Sequence, residues 1–147
     1  MIDNNRYLEA VITLLHVDYA KCLLQLRDFK SSIAFPGVWA GFGGQIEKGE
    51  SPKRCAFREI QEEIGYKAKR MTHLITYYPS VGYSTEAIHC FVASGLTRVK
   101  MKLDTDEFIT VKKMELSRLI KMIKSGKIID SKTICAVMVY AAKKKLL

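Results

Sequence analysis

The sequence predicts an α/β fold in which a mixed sheet is held between helices. Three observations predict it. Apolar, β-branched runs open the chain and return after its middle; one central helix announces both of its ends; and two amphipathic segments close the chain. With 147 residues, 48% of them apolar or aromatic, the expectation is one domain spanning residues 1–147.

Tyr7 to Val17 (YLEAVITLLHV) reads as a central strand and Lys21 to Arg27 (KCLLQLR) as its partner, turned at Asp18-Tyr19-Ala20. Asp28 to Gly37 holds two serines and Pro36-Gly37 and reads as a loop, with Val38 to Phe42 a short strand before Gly43-Gly44. The next helix has Ser51 as N-cap, Pro52 at its first position and Gly65 at its left-handed end. Between them Ala56, Ile60 and Ile64 recur every four residues as an inward face. Lys67 to Tyr78 and Glu86 to Leu96 are strands around the loop 79–84, and Glu107 to Val111 is a further short strand. Glu115 to Ser125 is a helix stopped by Gly126. Ser131 to Lys145 is another, with Ile134, Val137, Met138 and Ala141 as its apolar stripe. No linker or repeat divides the chain.

Composition excludes several classes. No run of 18 apolar residues suggests a membrane span, and the polar start Met1 to Arg6 lacks a secretory pattern, so a cytoplasmic protein with no membrane partner is expected. Cys22, Cys55, Cys90 and Cys135 form no C-x-x-C pair and read as reduced core thiols. His16 and His89 stand among apolar strand residues and read as core or sheet-face groups. The 24 basic against 15 acidic residues give a net charge of +9, which favours polyanionic partners. Much of that excess lies at Lys112-Lys113, Lys121, Lys124, Lys127 and Lys143 to Lys145. It reads chiefly as solvated helix faces and a basic tail, with RNA as an alternative partner for this surface.

The chemistry concentrates in the central helix. Glu59, Glu62 and Glu63 stand at i, i+3 and i+4, so a helix puts three carboxylates on one face. Like charges so placed destabilise a helix unless a cation lies between them, and hard oxygen donors suit Mg²⁺ or Mn²⁺. A diphosphate undergoing hydrolysis needs its charge neutralised and a water aligned for in-line attack. Three glutamates alone could equally be a solvated acidic face.

Their surroundings argue against that. Counting from Gly44, five residues precede Glu50, seven more precede Arg58-Glu59, and Ile60, Glu62-Glu63 and Gly65 follow in register. This resembles the Nudix box, G-x5-E-x7-R-E-U-x-E-E-x-G-U, where U is aliphatic; Tyr66 replaces the final aliphatic residue. The resemblance implies an α/β/α sandwich with a loop–helix–loop catalytic motif, and a hydrolase that cuts a diphosphate linkage in a nucleoside-diphosphate compound. It implies Glu59 and Glu63 as principal metal ligands, Glu62 as a further or water-mediated one, and the Gly44 carbonyl as completing the sphere. Glu50 and Arg58 would pair to orient the helix.

Tyr78-Pro79-Ser80-Val81-Gly82-Tyr83-Ser84-Thr85-Glu86, about fifteen residues beyond the box, resembles the Y-P-S-P-G-x-S-x-E stretch of ADP-ribose and ADP-sugar pyrophosphatases. The stretches 104–109 and 125–133 resemble that group's acidic loop and the start of its C-terminal helix. The implied reaction is ADP-ribose, or another ADP-sugar, to AMP and a sugar phosphate. Thr105 stands where several relatives carry a glutamate that could act as base, so Glu107 becomes the candidate base or added metal contact, with Glu86 next. Arg27 falls where relatives often hold a substrate-facing arginine, and its fork suits phosphate oxygens. Trp39, Phe35 or Tyr83 could stack on an adenine ring.

Two features point elsewhere. The Gly37-Val38-Trp39 approach looks more like Nudix enzymes acting on nucleoside triphosphates. The group's homodimers commonly use extra N-terminal strands, and only a few residues precede the first strand here. Triphosphates (oxidised ones included), RNA 5′ ends and a non-catalytic nucleotide sensor are therefore the rival readings.

Overall fold

A computed structural model describes residues 8–18, 20–100 and 109–147. In chain order the elements are β1 (Glu9–Asp18), β2 (Lys21–Leu26), β3 (Trp39–Ala40), α1 (Pro52–Ile64), β4 (Tyr66–Tyr77), β5 (Ala87–Arg98), β6 (Thr110–Glu115), α2 (Leu116–Lys124) and α3 (Ser131–Lys143). The strands form one mixed sheet in the order β3-β2-β1-β5-β4, with β6 along β2. Only the central β1–β5 pair among the described strands is parallel, in register from Glu9↔Ala87 to Leu15↔Ala93.

Strand alternation sends successive side chains to opposite faces, and both faces are covered. Val11 and Leu15 of β1, Phe91 and Ala93 of β5 and Met71 of β4 pack on one side against Cys55, Ala56, Ile60 and Ile64 of α1. Ile12 and Leu14 of β1 and Ile88 and Cys90 of β5 pack on the other against Leu116 and Leu119 of α2 and Ala136, Val137 and Tyr140 of α3. The result is the expected mixed sheet between helices.

A fork in the sheet positions the site. Near the β1–β2 turn, Leu23 and Cys22 of β2 pair with Leu15 and His16 of β1, whereas farther on Gln25 and Leu26 pair with Ala40 and Trp39 of β3. After Ala40 the chain leaves β2 and runs along β1 instead, bridging at Phe42↔Thr13 and Gln45↔Ala10. The strand expected over 38–42 is thus only two residues long, because the chain changes partner at Gly41.

Other differences from expectation are local. Glu115 ends β6 and serves as the N-cap of α2, so that helix begins at Leu116 and ends at Lys124. The last short strand is Thr110–Glu115 rather than 107–111; Glu107, like Tyr7, lies outside the described residues. In α3 the inward face is Thr133, Ala136, Val137, Tyr140 and Ala141, while Ile134 and Met138 are only half-buried. That helix meets the sheet and α2 on a face rotated from its most apolar stripe, because Thr133 and Tyr140 find polar partners inside. Tyr140 Oη lies 2.8 Å from His16 Nδ1. His89 likewise meets Thr76 on the sheet, at 2.9 Å. All four cysteines are free thiols; Cys22, Cys55 and Cys90 are buried and Cys135 is partly so.

Candidate active site

The helix that carries the glutamates is fixed at both ends. Ser51, in extended conformation, accepts the Arg54 N–H at 3.3 Å, and Pro52 occupies the first turn where no N–H is needed. Gly65, at φ 64° and ψ 40°, returns its N–H to Gln61 O at 3.1 Å and closes the helix.

Between these ends Arg58 gathers the acidic groups. Its Nε and Nη2 donate to the two carboxylate oxygens of Glu50, each at 3.0 Å. Its Nη1 donates to Glu59 Oε1 at 2.7 Å and to Glu62 Oε2 at 3.2 Å, and Nη2 also reaches the Gln45 carbonyl at 3.3 Å. The planar fork of a guanidinium makes this four-way arrangement feasible, where a lysine could not. Hydrogen bonding to Arg58 pulls the Glu50 carboxyl down to about 2, and the same partners raise the Arg58 pKa. Glu59 moves the other way: burial pushes its pKa up, with Arg58 opposing.

The fork segment faces these carboxylates. Gly43 N–H donates to Glu63 Oε2 at 3.1 Å. Gly44 lies so close to Glu59 that a Cβ there would stand 2.5 Å from Oε1. A Cβ on Gly43 would meet Val11 O at 2.0 Å, so at that position close backbone approach requires glycine. Glu59 and Glu63 thus bracket the Gly43–Gly44 backbone, whereas Glu62 points outward with a half-exposed side chain.

A cavity of about 570 Å³ opens from this point. Gly43, Gly44 and Glu63 line it together with Arg27, Phe35 and Glu86, and so do Ile129 to Lys132 at the start of α3. Arg27 is aimed by the loop 28–37. The loop is closed at its base by Arg27 N–H to Val38 O at 3.0 Å, and Arg27 Nη2 donates to Ala34 O at 3.0 Å. Its Nε is buried and has no acceptor among the described residues.

Of the residues singled out from sequence, Gly44, Glu63, Arg27, Glu86 and Phe35 share this cavity. Trp39 does not line it: the ring packs partly buried on the core, with Lys112 Nζ 5.8 Å from its centroid. Tyr83 is 96% exposed at the tip of the β4–β5 loop and does not line it either. Strand alternation and loop direction decide both placements, and neither is readable from an aromatic residue's position in the chain. Glu107 lies outside the described residues.

Sequence reasoning missed Gln25, Asp130, Lys132 and Thr133. The signal available was Asp130-Ser131-Lys132-Thr133, an Asp three residues before a threonine at a helix start. Asp130, not Ser131, caps α3, accepting Thr133 N–H at 3.0 Å and Lys132 Nζ at 2.7 Å. Burial opposes ionisation of Asp130, but these bonds outweigh it and hold its carboxyl below the ordinary range.

The donor set fits a hard divalent cation. The candidate ligands, the Glu59, Glu62 and Glu63 carboxylates and the Gly44 carbonyl, are all oxygens, and the missing Cβ of Gly44 leaves its backbone against the Glu59 carboxylate. The Cys55 thiol lies 4.0 Å from the Gly44 carbonyl, but burial pushes its pKa up to about 12 and keeps it a protonated thiol. The Gly44 carbonyl accepts Val11 N–H at 2.9 Å, which occupies one of its two lone pairs. Among the described residues no three acidic, histidine or cysteine side chains already form a closed metal cluster. Arg58 instead occupies Glu59 and Glu62, so a cation would compete with its Nη1 for them.

The comparisons with known proteins agree with this architecture. The profile of the NUDIX domain matches residues 6–137, and the chain belongs to that family. It is 38% identical over 105 residues to an ADP-ribose pyrophosphatase of Bacillus subtilis, covering 70% of this chain and 57% of that protein. It is 30% identical over 129 residues to a GDP-mannose pyrophosphatase of Salmonella paratyphi B, covering 82% of this chain and 67% of the relative. The chain therefore spans little more than half the length of the Bacillus subtilis relative. A solved structure described as an ADP compounds hydrolase superposes with a TM-score of 0.81 at 20% identity, over 98% of this chain and 78% of that one, and is alike in fold. Among the described residues no helix is long and apolar enough to cross a membrane.

Proposed function

We propose that the protein hydrolyses the diphosphate linkage of an ADP-sugar, ADP-ribose foremost, to AMP and a sugar phosphate, with Mg²⁺ or Mn²⁺. One observation carries this reading: Glu59 and Glu63 bracket the Gly43–Gly44 backbone, which lines a cavity together with Glu63 and Arg27. A cavity of about 570 Å³ falls within the range of nucleotide-sized ligand sites. The pyrophosphatase relatives act on nucleotide sugars by name, which supports the substrate class.

In this reading Glu59 and Glu63, with the Gly44 carbonyl and a contribution from Glu62, would hold the divalent cation, which when bound would supply neutralisation of the diphosphate charge. Arg27, its Nη2 held by the Ala34 carbonyl, offers the rest of its fork on the cavity wall to a non-reacting phosphate oxygen, fixing the diphosphate along the cavity. Glu50 holds Arg58, and through it the helix, at the angle that presents Glu59 and Glu63. A water attacks one phosphorus; the bond from that phosphorus to the bridging oxygen breaks, and its electron pair leaves with the other phosphate. Glu107 takes the proton released by the water, and Glu86, on the cavity wall, is the next candidate. Phe35, 72% exposed at the cavity, offers the base a ring to lie on.

The test is phosphate release in the presence of Mg²⁺ and added phosphatase. The panel holds ADP-ribose, ADP-glucose, GDP-mannose, ordinary and oxidised triphosphates and a triphosphorylated RNA, with Glu63→Gln as control. Selective turnover of ADP-ribose that disappears in the variant supports the proposal. Preference for triphosphates or RNA, the latter in line with the +9 charge, overturns the substrate. Nucleotide binding with no turnover of any compound replaces the enzyme by a sensor.

A further inference from the structure

Three polar side chains are buried among the described residues, Thr13, Gln25 and Thr133, and two of them converge on one residue, Gly41. Thr133, fully buried, accepts the Gly41 N–H at 2.9 Å, and Gln25 Nε2 donates to the Gly41 carbonyl at 2.9 Å. The Thr133 hydroxyl spends its single proton on Asp130 Oδ2 at 2.6 Å. That donation orients its oxygen lone pairs toward Gly41. The hydrogen bonds therefore run in one consistent direction, from Gly41 through Thr133 into the Asp130 carboxylate.

Gly41 is where the chain changes from β2 to β1, two residues before the pair that faces Glu63 and Glu59. It is pressed against β1, since a Cβ there would meet Ile12 Cδ1 at 2.7 Å. Phe42 exchanges hydrogen bonds with Thr13, at 2.7 and 3.3 Å, and Gly44 O accepts Val11 N–H. A helix cap that lines the cavity is thus tied, through the four consecutive residues 41–44, to the backbone that meets the glutamates. An ordinary N-cap bonds to its own helix and stops there; this one continues through Thr133 to the Gly41 backbone.

We propose that Asp130 and Thr133 are positioning residues for the hydrolysis: they hold Gly41, and through it Gly43 and Gly44, in register with Glu63 and Glu59. The inference rests on the reading of those glutamates as the metal-holding groups, and its test reads the backbone directly. Thr133→Val keeps the side chain's shape and the helix but removes both hydroxyl bonds. Asp130→Ser keeps a competent cap and removes the carboxylate that orients Thr133. Thr133→Ser keeps the hydroxyl and should behave as wild type.

The measurement is amide hydrogen exchange at Gly43, with Leu14 and Val92 in the sheet centre as references, alongside Mn²⁺ binding followed by electron paramagnetic resonance. Losing a buried hydrogen bond corresponds to about a tenfold change. Thr133→Val is expected to speed Gly43 exchange about tenfold while Leu14 and Val92 stay within about twofold, and to weaken Mn²⁺ binding by a similar factor. Thr133→Ser should restore both. If Thr133→Val does not fold, Asp130→Ser decides, with a several-fold effect at Gly43 expected. Uniform acceleration at all three amides, or unchanged Gly43 exchange and Mn²⁺ affinity, would make the pair a simple helix cap and overturn the proposal. A wild type inactive on every nucleotide would defeat the proposed function, while the exchange result would still decide the relay.

Discussion

Gly44 and Glu59 occupy adjoining space: a Cβ added to the glycine would lie 2.5 Å from Glu59 Oε1 and 2.7 Å from Cδ. The atoms in the way belong to the free end of a long side chain, so Gly44→Ala can be accommodated by turning the carboxylate aside. Gly43 differs, because its Cβ would meet the Val11 carbonyl at 2.0 Å, which is backbone held in the sheet. Gly44→Ala is therefore expected to change stability by under about 1 kcal/mol yet lower kcat on the order of a hundredfold, through a displaced ligand. Gly43→Ala should cost about 3 kcal/mol or more in folding. Urea unfolding beside steady-state kinetics separates the two; equal losses of stability would refute the distinction.

Arg58 is the second test. Its guanidinium serves Glu50, Glu59, Glu62 and the Gln45 carbonyl at once. Arg58→Lys keeps the charge and loses the fork, and is expected to reduce activity by about 10- to 100-fold, as for groups that orient metal ligands. Glu50→Gln should fall in the same range. The double variant should lose much less than the product of the two single losses, because both act through one pair. Full multiplicativity in the kinetic cycle would show that they act separately.

Acid should release the same pair. Bonding to Arg58 lowers Glu50 from an ordinary 4.5 to about 2 in the folded chain. For a carboxylate depressed by folding, the stabilisation is complete above the unfolded value and is lost as pH falls through the folded one. The pair's contribution is thus whole above about pH 4.5 and gone near pH 2. Urea midpoints measured from pH 6 down to pH 2 should fall more steeply for wild type than for Glu50→Gln below pH 4.5. Parallel curves would refute it.

Cation binding should appear in stability as well as in turnover. Chelation is expected to abolish hydrolysis, and Mg²⁺ or Mn²⁺ to restore it. A cation present at a hundred times its Kd should stabilise the fold by about 2.7 kcal/mol. Glu63→Gln should blunt the accompanying rise in Tm. A Tm indifferent to both ions in wild type would argue that these carboxylates hold no metal.

Arg27 supplies the last prediction. It lines the cavity with Nη2 held by the Ala34 carbonyl, which leaves the rest of its charged fork for a phosphate. Arg27→Ala should raise KM for the nucleotide by about tenfold or more, the scale of a charged hydrogen bond, and alter metal affinity little. An unchanged KM would return Arg27 to a purely structural part in the loop 28–37.

Much of this protein was legible in its sequence because the decisive signals are local. Ser51, Pro52 and Gly65 mark the ends of α1 by backbone chemistry that needs no distant partner. The i, i+3, i+4 spacing of Glu59, Glu62 and Glu63 places them on one helix face wherever that helix goes. The apolar, β-branched runs of β1 and β5 marked them as strands, and the order of elements implied a sheet held between helices. Tertiary structure alone decided where the chain changes partner at Gly41, because strand pairing is a contest between distant segments for the same hydrogen bonds. It set Trp39 against the core and Tyr83 in solvent, outcomes that depend on the direction of the fork and of a loop. It also joined Thr133 to Gly41, 92 residues apart, since a buried N–H must find an acceptor and only the packed fold brings this one within reach.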